Sequence, residues 1–167
     1  MTLVDAALAI MLAQPAHWTD KDEAPKARVS RFRPVAAFMV EAAKGDRHVL
    51  AAELVLWDAE SKGARYVQAG CIRVPKGAAD CDGGRARSPW QMWPKACPAG
   101  WALPRGSHEA LKAFAGCAAR LWQAARRRCQ SANDDPLVGA YSGYRSMCRW
   151  EPAKRRAARH RVMLARL

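Results

Sequence analysis

The sequence predicts a mainly α single domain with a long cysteine-stapled loop region. Three observations lead there. Apolar residues recur at helical spacing in several separate segments, Gly and Pro crowd the stretch that follows Gly63, and all six cysteines (Cys71, Cys81, Cys97, Cys117, Cys129 and Cys148) fall after residue 70. At 167 residues one hydrophobic core buries enough surface to be stable, and a second full domain is not expected. Half the residues are hydrophobic, but aromatics supply only 8% and Ala much of that half, which favours helix.

The elements follow in order. Val4, Leu8, Met11 and Leu12 mark a first helix that Pro15 closes. Trp18 to Lys26 reads as a charged connector. A second helical pattern over Ala27–Lys44 runs through Val29, Phe32, Ala36, Val40 and Ala43 and stops at Gly45. Pro34 is expected to begin or kink that helix, because it lacks an N–H and crowds the preceding turn. The third helix, Arg47 to Ser61, has Val49, Leu50, Leu54 and Trp57 on one stripe and no breaker, so it is predicted to be central.

Gly63, Gly70, Gly77, Gly83 and Gly84, with Pro75 and Pro89, then mark the irregular region. Long loops in compact domains are usually functional. Ser107 is placed to cap a helix from His108 to about Gln130, whose apolar face holds Leu111, Phe114, Ala118, Leu121 and Ala125. Arg126 to Arg128 suit the negative end of that helix. Asp135 and Pro136 open a short helix through Tyr141. The expected division is one domain over residues 1–150, with the helices of 1–46 packed on it, and a basic C-terminal tail helix over 151–167.

The formal net charge of +13 predicts attraction to polyanions, whether nucleic acid, anionic lipid or the acidic polymers of a bacterial envelope. Residues 1–100 carry 14 Lys/Arg against 11 Asp/Glu and residues 101–167 carry 14 against 4, so the polyanion contact is expected on the C-terminal side. In the tail, Lys154, Arg155, Arg156, Arg159, Arg161 and Arg166 alternate with Val162, Leu164 and Leu167, the pattern of an interfacial helix drawn to anionic envelope surfaces. A solvated, partly packed terminal helix is the alternative.

No apolar run is long enough for a membrane span. The apolar segment Met1–Ala16 has Asp5 as its lone charge and no basic start, so it reads as a helix of the fold and not as a secretory signal. The cysteines have no zinc-type spacing and are even in number, which favours disulfides and an oxidising compartment; buried thiols in a cytosolic protein are the alternative. Cys71–Cys81 and Cys129–Cys148 each close a short loop, leaving Cys97–Cys117 by elimination. His17, His48, His108 and His160 share no ligand spacing, so neither metal nor cofactor is expected. Ser61 has no His–Asp arrangement near it in sequence, which argues against a serine hydrolase.

Three patches carry the chemistry: Trp57 to Ser61, Arg85 to Pro94, and Ala140 to Gly143. Their order and spacing, over roughly Val49 to Cys148, resemble the lysozyme-like lytic transglycosylase superfamily, goose-type lysozymes included. In that superfamily a Glu-Ser pair closes a buried helix, a Gly-Ala-x-Gly-Leu-Met-Gln stretch with a following Pro walls the cleft, and an Ala-Tyr-Asn-like motif lies downstream. Glu60 and Ser61 match the pair, Ala86, Gln91 and Pro94 the cleft stretch, and Tyr141 the downstream Tyr. Arg85 and Ser88 stand where Gly is usual, Pro89 and Trp90 where Leu and Met are usual, and Ser142 where Asn is common.

The resemblance implies a lysozyme-like domain that cleaves the β-1,4 bond between N-acetylmuramic acid and N-acetylglucosamine of peptidoglycan, with Glu60 as catalytic acid. Trp57 and the Leu-rich stripe are expected to desolvate Glu60 and raise its pKa, with no Lys or Arg partner evident on its face. Ser61, Trp90, Gln91, Trp93 and Tyr141 are the candidates for substrate binding, since indoles stack on sugar rings and Gln91 suits an N-acetyl group. Asp80 and Asp82 are the candidates for a second carboxylate, although acids beside Gly83 and Gly84 also serve as turn formers.

The expected site of action is extracytoplasmic, at the periplasm or cell wall. The missing signal and basic tail fit a phage-encoded endolysin or a virion-associated enzyme working with other virion proteins. The alternatives are a basic nucleic-acid-binding protein, which explains the charge but not the three ordered motifs, and a non-catalytic virion component that keeps the lysozyme-like fold.

Overall fold

The computed structural model describes the backbone of residues 1–130 and 151–167 and the side chains of residues 1–127 and 155–167. Among the described residues no strand occurs, only an isolated antiparallel bridge between Arg87 and Met92. The class is mainly α, as the helical spacing predicts.

Helix α1, Leu3–Ala13, opens on a capping box: the Thr2 hydroxyl accepts the Asp5 N–H at 3.1 Å while the Asp5 carboxylate accepts the Thr2 N–H at 3.2 Å. The lone charge of the first segment is therefore a helix start. Helix α2, Pro25–Ala43, begins at Pro25, where a missing N–H leaves nothing unpaired. It continues past Pro34, so the expectation that Pro34 begins a helix is not met. Helix α3, Arg47–Ser61, is started by the Asp46 carboxylate, which accepts the N–H groups of His48 and Val49 at 2.8 and 3.2 Å.

Val49, Ala51, Ala52, Leu54 and Trp57 on α3 are fully buried. The helix packs against α2, against α6 (His108–Gln130) and against α7 (Glu151–Arg166), which makes it the central element. Two short helices, α4 (Arg65–Gln68) and α5 (Pro98–Trp101), punctuate the loop region. The basic tail is part of this packing: Ala157, His160 and Met163 of α7 and Leu167 just beyond it turn inward, while Val162 is 54% exposed. No described helix is long and apolar enough to cross a membrane.

The end of α3 is held by close packing and by charge. Lys62 and Gly63 leave the helix with φ of 48° and 65°, and a Cβ at Gly63 would lie 2.2 Å from the Trp57 ring, itself edge-on to Phe32. Only Gly fits there. The Arg31 guanidinium donates to Glu23 at 2.6 and 2.8 Å, to Gln68 at 3.0 Å and to the Gly63 carbonyl. Asp20 accepts the Arg65 backbone N–H at 2.7 Å. This nearly buried network ties α2 to the chain leaving α3.

Cys71 pairs with Cys81, and Cys97 pairs with Cys117 of α6. Both pairings are those expected. The third, Cys129 with Cys148, and the short helix from Asp135 through Tyr141 lie outside the described residues. Between Cys71 and Gln91 six non-glycine residues (Cys71, Arg73, Cys81, Asp82, Ser88 and Gln91) have positive φ. Each is a conformation that L-residues adopt at a cost, so the disulfide and the Arg87–Met92 bridge hold an otherwise unfavourable path.

Candidate active site

Glu60 is the penultimate residue of α3, with its side chain 22% exposed at the edge of the buried helix. Burial pushes its carboxyl above the usual range, because the charged form loses hydration there, and the nearby Asp82 carboxylate pushes in the same direction. Arg156 of α7 opposes both, donating to the Glu60 carboxylate at 2.6 Å. The net direction is upward. The expectation that Glu60 has no cationic partner is therefore corrected: the partner comes from the far end of the chain, where helix periodicity gives no sign of it.

Asp82 and Asp80 separate in role. The Asp82 carboxylate accepts the Trp93 indole N–H at 3.1 Å and lies close enough to Glu60 to act on its ionisation. Arg85 covers the Trp93 ring at 5.6 Å. The exposed Asp80 carboxylate accepts the Gly83 N–H at 2.9 Å, the turn-forming role. Of the two, Asp82 is the carboxylate brought to Glu60, across 22 positions of sequence and with the help of the Cys71–Cys81 bridge.

The expected substrate-binding set divides further. Trp93 is 47% exposed, with its indole N–H on Asp82 and the Arg85 guanidinium over its ring. Trp90 is fully buried with its indole N–H directed to the Glu53 carbonyl at 3.3 Å, so its proposed stacking on sugar is corrected to a core role. Ser61 is likewise buried: its hydroxyl donates to the Trp57 carbonyl at 2.8 Å and accepts the Gly63 N–H at 3.0 Å, so its proposed contact with substrate is corrected to finishing the helix. The Gln91 amide donates to the Ser88 carbonyl at 3.2 Å and lies against the Cys71–Cys81 sulfurs, supporting the loop from inside. Tyr141 lies outside the described residues. Among the described residues no three His, Cys, Asp or Glu side chains gather as a metal site would require.

Two acids escaped the sequence reading. Asp58, one turn before Lys62, is nearly buried and pairs with Arg159 at 2.6 Å; burial raises its pKa while Arg159 lowers it. Glu53 is fully buried on α3, and among the described residues neither carboxylate oxygen has a hydrogen-bond partner. Burial alone drives its pKa upward, so it sits in the core as the neutral acid. The signal for Glu53 was present: a Glu inside a run apolar on every side is an enclosed Glu.

The arrangement offers a partly shielded carboxyl with a net upward shift, a second carboxylate on a disulfide-bridged loop, and a half-exposed indole beside it. No protein-family model, curated protein or solved structure matches the chain.

Proposed function

We propose that this chain is a peptidoglycan-degrading glycosidase with a lysozyme-like fold, cleaving the β-1,4 bond between N-acetylmuramic acid and N-acetylglucosamine with Glu60 as general acid. The observation that carries the reading is the pairing of unlike carboxylates: Glu60 at the edge of the core, raised by burial, and exposed Asp82 beside it on the stapled loop. Glycoside cleavage needs one acid still protonated to give its proton to the leaving oxygen, and a negative charge near the oxocarbenium-like carbon that then develops. Glu60 takes the first role and Asp82 the second.

Trp93, fixed by its N–H bond to Asp82, offers the sugar-stacking face. The backbone of the cleft stretch also supports the resemblance: Ser88, where relatives of that kind carry Gly, has φ of 73°, a conformation that favours Gly. After proton donation, attack by water oriented on Asp82 yields a reducing end. Attack by the sugar's own C6 hydroxyl, with Glu60 now acting as base, yields a 1,6-anhydro end. The two disulfides support an extracytoplasmic site of action.

The test is digestion of purified peptidoglycan with product mass spectrometry, comparing the native chain with Glu60→Gln. Glycan fragments from the native chain and none from the folded variant are expected. Fragments from Glu60→Gln, or intact glycan with both, would end the proposal.

A further inference from the structure

Arg87 is a half-buried cation of the cleft stretch with no acid beside it. Its guanidinium lies over the Trp101 ring at 3.8 Å, and its Nη1 donates to the Trp101 carbonyl at 3.3 Å. The Met92 carbonyl accepts both the Arg87 backbone N–H at 3.0 Å and the Trp101 indole N–H at 2.9 Å, which fixes Arg87 and Trp101 on one another. The Arg87 Nε is buried and has no hydrogen-bond partner among the described residues. A buried charged donor without an acceptor is costly, so this edge of the guanidinium calls for one.

We propose that Arg87 and Arg105 form an oxyanion-binding site that takes a carboxylate or phosphate group between them. The Nε and Nη2 of Arg87 make a planar fork of N–H donors matched to two oxygens of such a group, and Arg105 supplies a second positive charge. Neither Glu60 nor Asp82 lines this site, which stands independently of the glycan reading.

Three observations carry it. First, both arginines line a cavity of about 10 Å³, room for one water-sized atom such as a ligand oxygen. Arg105 is exposed, so the rest of the ligand can stay in solvent. Second, the charge is unbalanced. No carboxylate bonds to either arginine among the described residues. Burial, and behind it the Arg105 charge, hold the Arg87 pKa below its ordinary value, and no acid opposes them. Glu109, the acid nearest to Arg105 in sequence, is already engaged with its own N–H and with Ser107. Third, the walls are closely seated backbone. A Cβ at Gly70 would lie 2.8 Å from the Arg105 Cβ, and one at Gly106 would lie 2.8 Å from the Ala69 carbonyl carbon. That seating fixes where Arg105 leaves the backbone, so less order has to be imposed when the ligand binds.

Nitrogen NMR of the arginine Nε–H groups reads the site on the full chain at pH 7, with the Arg87 resonance assigned by its loss in Arg87→Lys. Sodium phosphate, sodium acetate and sodium chloride are titrated separately at matched ionic strength. A saturable shift of the Arg87 resonance is expected with phosphate or acetate, at about tenfold higher affinity than with chloride, the worth of one charge-assisted bond. A response to acetate alone identifies a carboxylate ligand, and a response to phosphate alone a phosphate ligand. A resonance that moves with neither, or equally with chloride, overturns the proposal.

Arg105→Gln changes an exposed residue and leaves the Arg87–Trp101 contact in place. It is expected to weaken oxyanion binding about tenfold, whereas Arg47→Gln, which removes the same charge from the exposed start of α3, leaves binding unchanged. Equal weakening by both variants would show only general attraction to a chain of net charge +13, and would overturn the site. Binding unaffected by Arg105→Gln would overturn it as well.

Discussion

Replacing Glu53 with Met tests the physics of the central helix. Glu53 is fully buried, both its oxygens lack partners among the described residues, and its pKa is raised from an ordinary 4.5 by burial alone. In the unfolded chain the carboxyl ionises above that value, whereas in the fold it stays neutral until the pH reaches its raised pKa. The protonated side chain's compatibility with the core is thus fully present below pH 4.5 and is lost progressively as the pH rises through that window. The slope approaches about 1.4 kcal/mol per pH unit where the unfolded state is charged and the folded state is not.

Met fills similar volume without titrating and removes two unsatisfied buried polar atoms. The expected gain is therefore roughly 2–4 kcal/mol at pH 7, with little gain left at pH 4 beyond the neutral acid's own desolvation. Urea unfolding of both chains at pH 4, 5, 6 and 7, followed by circular dichroism, measures the difference. A Glu53→Met chain that is less stable at pH 7, or whose advantage does not grow with pH, would refute the assignment of Glu53 as an uncompensated neutral acid.

Gly63→Ala should cost about 2–4 kcal/mol, since it sets a Cβ at 2.2 Å from the Trp57 ring and forces an L-residue to φ 65°; thermal unfolding reads it, and a loss under 1 kcal/mol would mean that the chain leaving α3 is free to move. Replacing Cys71 and Cys81 together by Ser opens a bridge spanning 10 positions, which chain entropy values at about 3 kcal/mol. Trypsin should then cut faster at exposed Arg73, Lys76 and Arg85, and unchanged cleavage would show that the loop holds its shape without the staple.

How much of this was legible in the sequence depends on the range over which each contact acts. The bounds of α3 and α6 agree with the reading because an unbroken apolar stripe and a capping residue are local signals. Trp90 and Trp93 could not be told apart, since they sit three residues apart in a loop with no period to say which indole turns inward. In the tail, Leu164 and Leu167 of the sequence pattern pack on the core while Val162 does not, and the rest of the inward side is built from Ala157, His160 and Met163, of which Ala and His carry little weight in an apolar pattern. Arg156 reaches Glu60 across 96 positions. No helical or strand period encodes such a contact; only the packing of α7 on α3 creates it.

The last turn of α3 nevertheless carries a local warning of the site. Carbonyl dipoles make a helix C-terminus negative, and basic residues are the stabilising choice there. This helix ends with Asp58 and Glu60 and no base in its last turn. Burial is what chiefly raises both pKa values, and a negative helix end is in any case a poor place for two carboxylates. A sequence free to optimise stability would place Lys or Arg at these positions. Here the compensating charge arrives instead from Arg156 and Arg159 on α7, each at 2.6 Å from one of the acids. Conflicts between a local rule and the fold concentrate at functional sites, where stability is given up for chemistry. Asp58 is nearly sealed by its partner, whereas Glu60 remains accessible beside Asp82. Of the two frustrated acids, Glu60 is therefore the one that the proposed glycan would reach.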